Sequence, residues 1–192
     1  MADSDPPDLI IRSYSESDLP DLQAIAAAAW QPVFDSYRNM LGPELFGLAY
    51  ENWQAAKCSQ IETACRGDRD AHVIVGVVRE SPRQPERSPH PEAPPNPQPP
   101  RERVIAFLTY YLDTGNGLGE IGNNAVDPTC QAAGVGTRML RHALEQMREA
   151  GARCVRVTTG LDPSHAPARR MYEKAGFARG TLPRPAPPGE PG

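Results

Sequence analysis

The stretch that decides the fold is CQAAGVGTRML, Cys130 to Leu140. Two glycines, Gly134 and Gly136, stand one residue apart, and a helical pattern begins directly after them. Met139, Leu140, Ala143, Leu144 and Met147 fall on one face, and Gly151 stands where such a helix would end. The spacing predicts a helix over 134–150. Just upstream, EIGNNAV (Glu120 to Val126) reads as a strand, so the glycines lie in a strand-to-helix connection. The first turn of a helix leaves backbone N–H groups without intrahelical partners, and the macrodipole adds partial positive charge there. Glycines at that point let an anion approach the backbone closely. Taken alone, they fit a ligand-free turn equally well.

Beyond this helix, CVRVTT (Cys154 to Thr159) reads as another strand. A short helix follows over 168–175, closed by Gly176, and FARGTL (Phe177 to Leu182) reads as a weak last strand. Towards the N-terminus, TGNGLG (Thr114 to Gly119) is a hairpin turn joining RVIAFLTYYLD (Arg103 to Asp113) to Glu120–Val126. AHVIVGVV (Ala71 to Val78) is a β-branched strand, and DLIIRSY (Asp8 to Tyr14) is the first strand. Asp18 stands as N-cap of a helix whose Leu19, Leu22, Ile25, Ala26, Ala29 and Trp30 share a face. A second helix starts near Pro43 and carries Leu45, Phe46, Ala49 and Trp53, and a further helical segment covers Lys57 to Cys65.

Proline punctuates this order. SPRQPERSPHPEAPPNPQPP, Ser81 to Pro100, is nearly half proline and reads as an extended tether. It lies between two strands, so residues 80–102 read as a loop insertion in one hairpin. Closing the longer loop costs about 1.5 kcal/mol over a tight turn. Its P-x-x-P spacings suit an SH3-like groove, although an idle insertion is the simpler reading. Residues 1–7 and 183–192 read as disordered, leaving one domain over 8–182. The alternation of strands and helices implies a mixed α/β domain with one parallel crossover through the helix after Gly134.

Composition excludes several classes. A net charge of −4 argues against a nucleic-acid surface. Of twenty basic residues only Lys57 and Lys174 are lysines, and the abundance of Arg, Ala, Gly and Pro suggests a GC-rich, bacterial genome. The four cysteines show no C-x-x-C spacing and the four histidines are scattered, so no metal site is expected. Free, mostly buried thiols fit a cytoplasmic protein. MADSDPPD lacks an apolar signal region, and no run approaches the ~20 apolar residues of a membrane helix.

A triphosphate loop would need a lysine after the second glycine, and none is near. A dinucleotide loop would need glycine or alanine where Met139 stands. What V-D-P-x-x-Q-x-x-G-V-G-T, Val126 to Thr137, does resemble is the acetyl-CoA pyrophosphate loop of the GNAT superfamily of N-acetyltransferases. Gln131, Gly134 and Gly136 match its [RQ]-x-x-G-x-[GA] core. ARRMYEKAGF, Ala168 to Phe177, resembles the same family's C-terminal motif, with its alanine, tyrosine and closing Gly-Phe. Both motifs occur in order and suitably spaced.

The resemblance implies the GNAT fold, a mixed and mostly antiparallel sheet flanked by helices, and transfer of acetyl from acetyl-CoA to an amine by direct attack. It implies that Gln131, Ala132, Ala133, Gly134, Val135, Gly136 and Thr137 offer backbone N–H groups to the pyrophosphate. It further implies that Asn124, Ala125 and Val126 hold the pantetheine arm through the main chain, where a bulge splays the strand from its neighbour. Tyr172 matches the tyrosine expected to protonate the leaving thiolate, although a buried packing tyrosine is the plainer role. Glu120 stands where some members carry a general base, and a solvated strand-end carboxylate is the alternative. Asn123 or Asn124 would face the cleft. Arg138 and Arg141 could meet the 3′-phosphate or simply be solvated. Asp35, Glu44 and Glu51 could attract a cationic amine, on a small molecule or on a protein.

Two departures stand out. His165 occupies the place where the family commonly has a cofactor-contacting asparagine, and imidazole can still donate a hydrogen bond. After FARGTL, proline-rich sequence leaves no segment for the family's last inserted strand. A sheet edge left open in that way invites dimerisation. A non-catalytic acyl-CoA-binding or protein-interaction module of the same fold is therefore the rival reading.

Overall fold

The computed structural model describes residues 9–67, 70–80, 101–131 and 134–180. Among these residues nine principal elements follow one another: β1 (Ile10–Ser13), α1 (Leu19–Tyr50), α2 (Trp53–Cys65), β2 (His72–Glu80), β3 (Arg101–Asp113), β4 (Leu118–Val126), α3 (Val135–Glu149), β5 (Cys154–Val157) and α4 (Ala166–Lys174). Short 3-10 turns lie at Glu16–Asp18, Pro128–Cys130 and Pro163–His165.

The five strands form one sheet in chain order, β1-β2-β3-β4-β5. The first three pairings are antiparallel, while β4 and β5 run parallel across the α3 crossover. β2 pairs with β3 from His72 opposite Tyr110 to Glu80 opposite Arg101, so the expected hairpin forms and its strands extend two residues further than the periodicity suggested. Ser81 to Pro100 lies outside the described residues. At the next hairpin, the Asp113 side chain accepts from the Asn116 backbone N–H at 3.1 Å and its amide at 2.7 Å, and Gly117 turns the chain at φ +65°.

Helices cover both faces. Leu22, Ile25 and Ala26 of α1 and Ile61 of α2 pack on Val75, Val77, Val104, Phe107 and Ala125. On the opposite face, Met139, Leu140, Ala143 and Met147 of α3 and Tyr172 of α4 meet Ile105, Leu108 and Ile121. Among the described residues no helix is long and apolar enough to cross a membrane.

Four sequence expectations need correction. The first helix does not stop after Trp30 but continues past Pro32 to Gly42, whose φ of +77° breaks it before Pro43 restarts the next turn. Packing overrides the lost proline hydrogen bond, because Phe34 stacks on Trp53 at 4.1 Å. Asp18 opens α1 but does not cap it with its side chain. Its carboxylate instead takes two hydrogen bonds from Arg12, at 2.7 and 2.9 Å, and one from the Ser15 N–H. Phe177 to Gly180 form no strand; Phe177 N–H closes the end of α4 onto the Tyr172 carbonyl at 3.0 Å. Thr181 and Leu182 lie outside the described residues. The thiols are less buried than expected, with Cys154 exposed and the other three partly covered.

Candidate active site

β4 is forked from β5. Their pairing runs from Leu118 opposite Cys154 to Ile121 opposite Val157 and goes no further, although β4 continues to Val126. From Gly122 onward, among the described residues, no strand lies beside the β5-side backbone edge of β4.

The fork begins at a bulge. Leu108 faces Asn124 but Tyr110 faces Ile121, so Thr109 stands opposite both Gly122 and Asn123. Thr109 is fully buried, and its Oγ1 accepts the Asn123 backbone N–H at 2.7 Å in place of a ladder carbonyl. Gly122 is required there, because a Cβ would lie 2.5 Å from that oxygen. The extra residue switches the faces of the strand. Ile121 packs with the α3 side, yet Ala125, four residues on, packs with the α1–α2 side. Asn123 thus faces α2, where its Oδ1 accepts from Lys57 Nζ at 3.3 Å. Asn124 faces α4, with its amide 4.0 Å from the Met171 sulfur.

A cleft of about 550 Å³ opens at this fork. Trp30 and Lys57 line it from the helical arm, Glu120 to Asn124 from β4, and Gly160, His165 and Tyr172 from the segment after β5. The sequence thus pointed to Glu120, Asn124, His165 and Tyr172, and the fold brings all four to one cleft.

Their states differ. Tyr172 is 7% exposed, its ring edge-on to Phe177 at 5.6 Å. Burial raises its phenol above the usual value, and the neighbouring Asn124 amide partly offsets this. Glu120 faces Arg156 across the parallel pair, and the guanidinium contacts one carboxylate oxygen, Oε2, at 2.6 and 3.1 Å. His165 is not a free donor at Nδ1, which lies 2.5 Å from Asp162 Oδ2. Desolvation opposes the charge on Asp162, but hydrogen bonds from Ser164 and His165 outweigh it and hold this carboxyl below the ordinary range. Arg169 pins the same loop by donating to the carbonyls of Gly160 and Asp162.

The glycine loop lies at the open end of the fork, beyond Val126. Gly134 takes φ +72° and precedes α3, whose first intrahelical bond is Arg138 N–H to the Gly134 carbonyl at 3.0 Å. The N–H groups of Val135, Gly136 and Thr137 consequently have no intrahelical partner. A Cβ on Gly136 would lie 3.3 Å from the Met171 sulfur and 3.5 Å from Val126 Cγ2, so the close packing there favours glycine. Gln131 reaches back to the Val126 carbonyl at 3.4 Å. Ala132 and Ala133 lie outside the described residues. Ala125 is buried in the core, which leaves only its backbone for contact. Arg138 donates to the Leu9 carbonyl at 3.2 Å, tying α3 to the start of β1.

Sequence reading overlooked Thr109, Asp162 and Lys57. A threonine inside an apolar strand and an aspartate before a proline carry no distinctive signal. Lys57 did carry one, as one of two lysines in an arginine-rich chain.

Residues 30–177 match the acetyltransferase (GNAT) family, well over half of the sequence, and the chain belongs to that family. Solved structures share the fold. A GNAT-family protein from Desulfovibrio desulfuricans is 16% identical, with a TM-score of 0.59 over 90% of this chain and 87% of its own. A GNAT acetyltransferase from Brucella melitensis, solved with acetyl-CoA, is 20% identical with a TM-score of 0.54 over 89% and 83%. The PaiA N-acetyltransferase of Thermoplasma acidophilum, solved with coenzyme A, is 16% identical with a TM-score of 0.59 over 88% and 89%. A search of curated protein sequences finds no match.

Proposed function

We propose that this protein is an acetyl-CoA-dependent N-acetyltransferase that moves the acetyl group to a primary amine by direct attack. The observation that carries this reading is the fork itself. Its unpaired β4 edge runs from the buried tyrosine toward the glycine-opened start of α3. The residues suit the cosubstrate. Val135, Gly136 and Thr137 present N–H groups to a pyrophosphate, and Gly136 lets the start of α3 pack closely against Met171 and Val126. The β4 backbone at Asn124, Ala125 and Val126 bonds the pantetheine amides. Gln131 braces this loop through the Val126 carbonyl. His165, oriented by Asp162, borders the cleft as a second polar wall.

Most of the rate enhancement comes from position, since attack needs only an aligned amine and a polarised carbonyl. Tyr172 gives its proton to the departing thiolate. Burial keeps the proton on the phenol and makes it a weaker acid, so donation relies on the thiolate's charge developing directly beside it. Glu120 takes the ammonium proton from the acceptor through Oε1, because both Arg156 contacts fall on Oε2.

A calorimetric titration of acetyl-CoA, followed by thiol release with a mixture of amines, tests the reading. Tight binding and amine-dependent release support it. Binding without release supports the non-catalytic module, which the Arg156 clamp on Glu120 favours. A folded chain that does not bind acetyl-CoA refutes it.

A further inference from the structure

Lys57 occupies an unusual place. Its Nζ donates to Gln60 Oε1 at 2.8 Å and to Asn123 Oδ1 at 3.3 Å, and lies 4.1 Å from the centre of the Trp30 ring. Asn123 is the bulge residue at which the fork begins, so this amine stands on the α2 side of the cleft. The other titratable groups lining the cleft are Tyr111, Glu120, His165 and Tyr172. Glu120 is held by Arg156 and His165 by Asp162, and among the described residues no carboxylate pairs with Lys57.

Two readings compete for a lone cation in a cleft. It can attract an anionic ligand, or it can act as an amine. A guanidinium serves the first purpose better, since its planar fork grips carboxylates and keeps its charge. This chain uses arginine at every basic position except Lys57 and Lys174. Lys174 is exposed near the end of α4. Chemistry that arginine cannot supply, namely a nitrogen able to become neutral, is the reason to favour the second reading. Burial supports it by pushing Lys57 down to about 8. Near pH 8 such an amine is about half neutral, against roughly 0.4% for an ordinary lysine.

We propose that Lys57 is itself an acetyl acceptor, modified by this chain with acetyl-CoA held in the fork. The inference rests on the proposed function. The neutral Nζ lone pair attacks the thioester carbonyl carbon, a C–N bond forms and the C–S bond breaks. The thiolate leaves with the bonding pair and takes up one proton, and Nζ loses one, giving N-acetyl-lysine and coenzyme A thiol. The resulting amide carries no charge, gives up the cation–π contact with Trp30 and fills the α2 side of the cleft.

The test incubates the full chain with acetyl-CoA and no added amine, then locates acetyl groups by peptide mass spectrometry. In the folded chain Lys57 should be acetylated about tenfold faster than Lys174, or more, from its neutral fraction and its position. In urea the two lysines should react alike, and Lys57→Arg should remove the fast event. Acetic anhydride, which needs no cosubstrate site, reports the reactivity of the amine separately. If calorimetry shows acetyl-CoA bound but Lys57 reacts no faster than Lys174, the inference is overturned while the cosubstrate site stands. Labelling of Lys57 by acetic anhydride alone overturns it in the same way. A folded chain that does not bind acetyl-CoA overturns both.

Discussion

Thr109→Val removes one oxygen from the centre of the sheet and should disable the fork. Valine matches threonine in shape, so packing hardly changes. What is lost is the acceptor for the Asn123 N–H, now bonded at 2.7 Å to a side chain that is 0% exposed. Asn123 is itself 6% exposed, so water cannot easily replace that acceptor. An unsatisfied buried N–H costs about 1–3 kcal/mol. With a urea slope of about 2 kcal/mol/M, the unfolding midpoint should fall by roughly 1 M. Thr109→Ser is the control. It keeps the oxygen and deletes one buried methyl, at about 1 kcal/mol. The two variants separate at the cleft. Serine preserves the bulge, whereas valine removes what holds it, and β4 must keep an orphan donor or slip by one residue, which would exchange the faces of Asn123 and Asn124. Acetyl-CoA titration should show about tenfold weaker binding for the valine variant, equivalent to ~1.4 kcal/mol, and little change for serine. A valine variant as stable as the parent, or serine weakening binding as much as valine, would refute the assignment of the bulge to this hydrogen bond.

Other perturbations act on separate parts. Tyr172→Phe should lower kcat about 10²-fold or more with acetyl-CoA affinity nearly intact, measured by steady-state kinetics beside calorimetry; collapse of affinity would make the tyrosine a packing residue only. Gly134→Ala forces a side chain into φ +72° and should cost roughly 1–2 kcal/mol, with Gly134→Asn costing less; equal melting temperatures for all three chains would contradict this. Asp18 is held below the ordinary carboxylate value chiefly by its hydrogen bonds from Arg12. Because the folded value is the lower one, its contribution is complete above about pH 4 and is lost as pH falls through the depressed native value. Urea unfolding of Asp18→Asn should therefore show a deficit at pH 7 that closes below pH 4, and a deficit independent of pH would exclude the ion pair as its source.

The legible parts of this chain are those in which a local pattern and a local conformation coincide. The α3 stripe, the Asn116–Gly117 turn and the β-branched strands could be read directly. The glycine loop and Tyr172 are singled out only by the resemblance of two motifs to the GNAT family. The reading failed where a distant partner decides. Pro32 is an ordinary breaker until Trp53 stacks on Phe34 across the helical arm. Asp18 has the look of a cap until Arg12 claims its carboxylate from β1. Phe177 is a plausible strand residue, but its N–H is already spent on the Tyr172 carbonyl. Thr109 is silent in sequence because the bulge belongs to two strands at once, and neither alone specifies which residue is extra.

That extra residue also decides how the proposed chemistry is divided. Asn123 and Asn124 are neighbours in an extended strand, so they must point to opposite faces. One touches Lys57 on α2, and the other borders Met171 and Tyr172 on α4. In the proposed reaction the nitrogen adds to the face of a planar thioester carbonyl and the sulfur leaves from the resulting tetrahedral carbon, and separate sides keep the proposed base and acid from neutralising each other. Without the bulge, Asn123 would carry the tyrosine side and Asn124 the lysine side, and Ala125 would leave the core it now fills under α1. The apolar partners of Ala125 on one face and Ile121 on the other thus hold the polar pair in register. Sheet packing, through one threonine hydroxyl, fixes which asparagine faces Lys57 and which faces Tyr172.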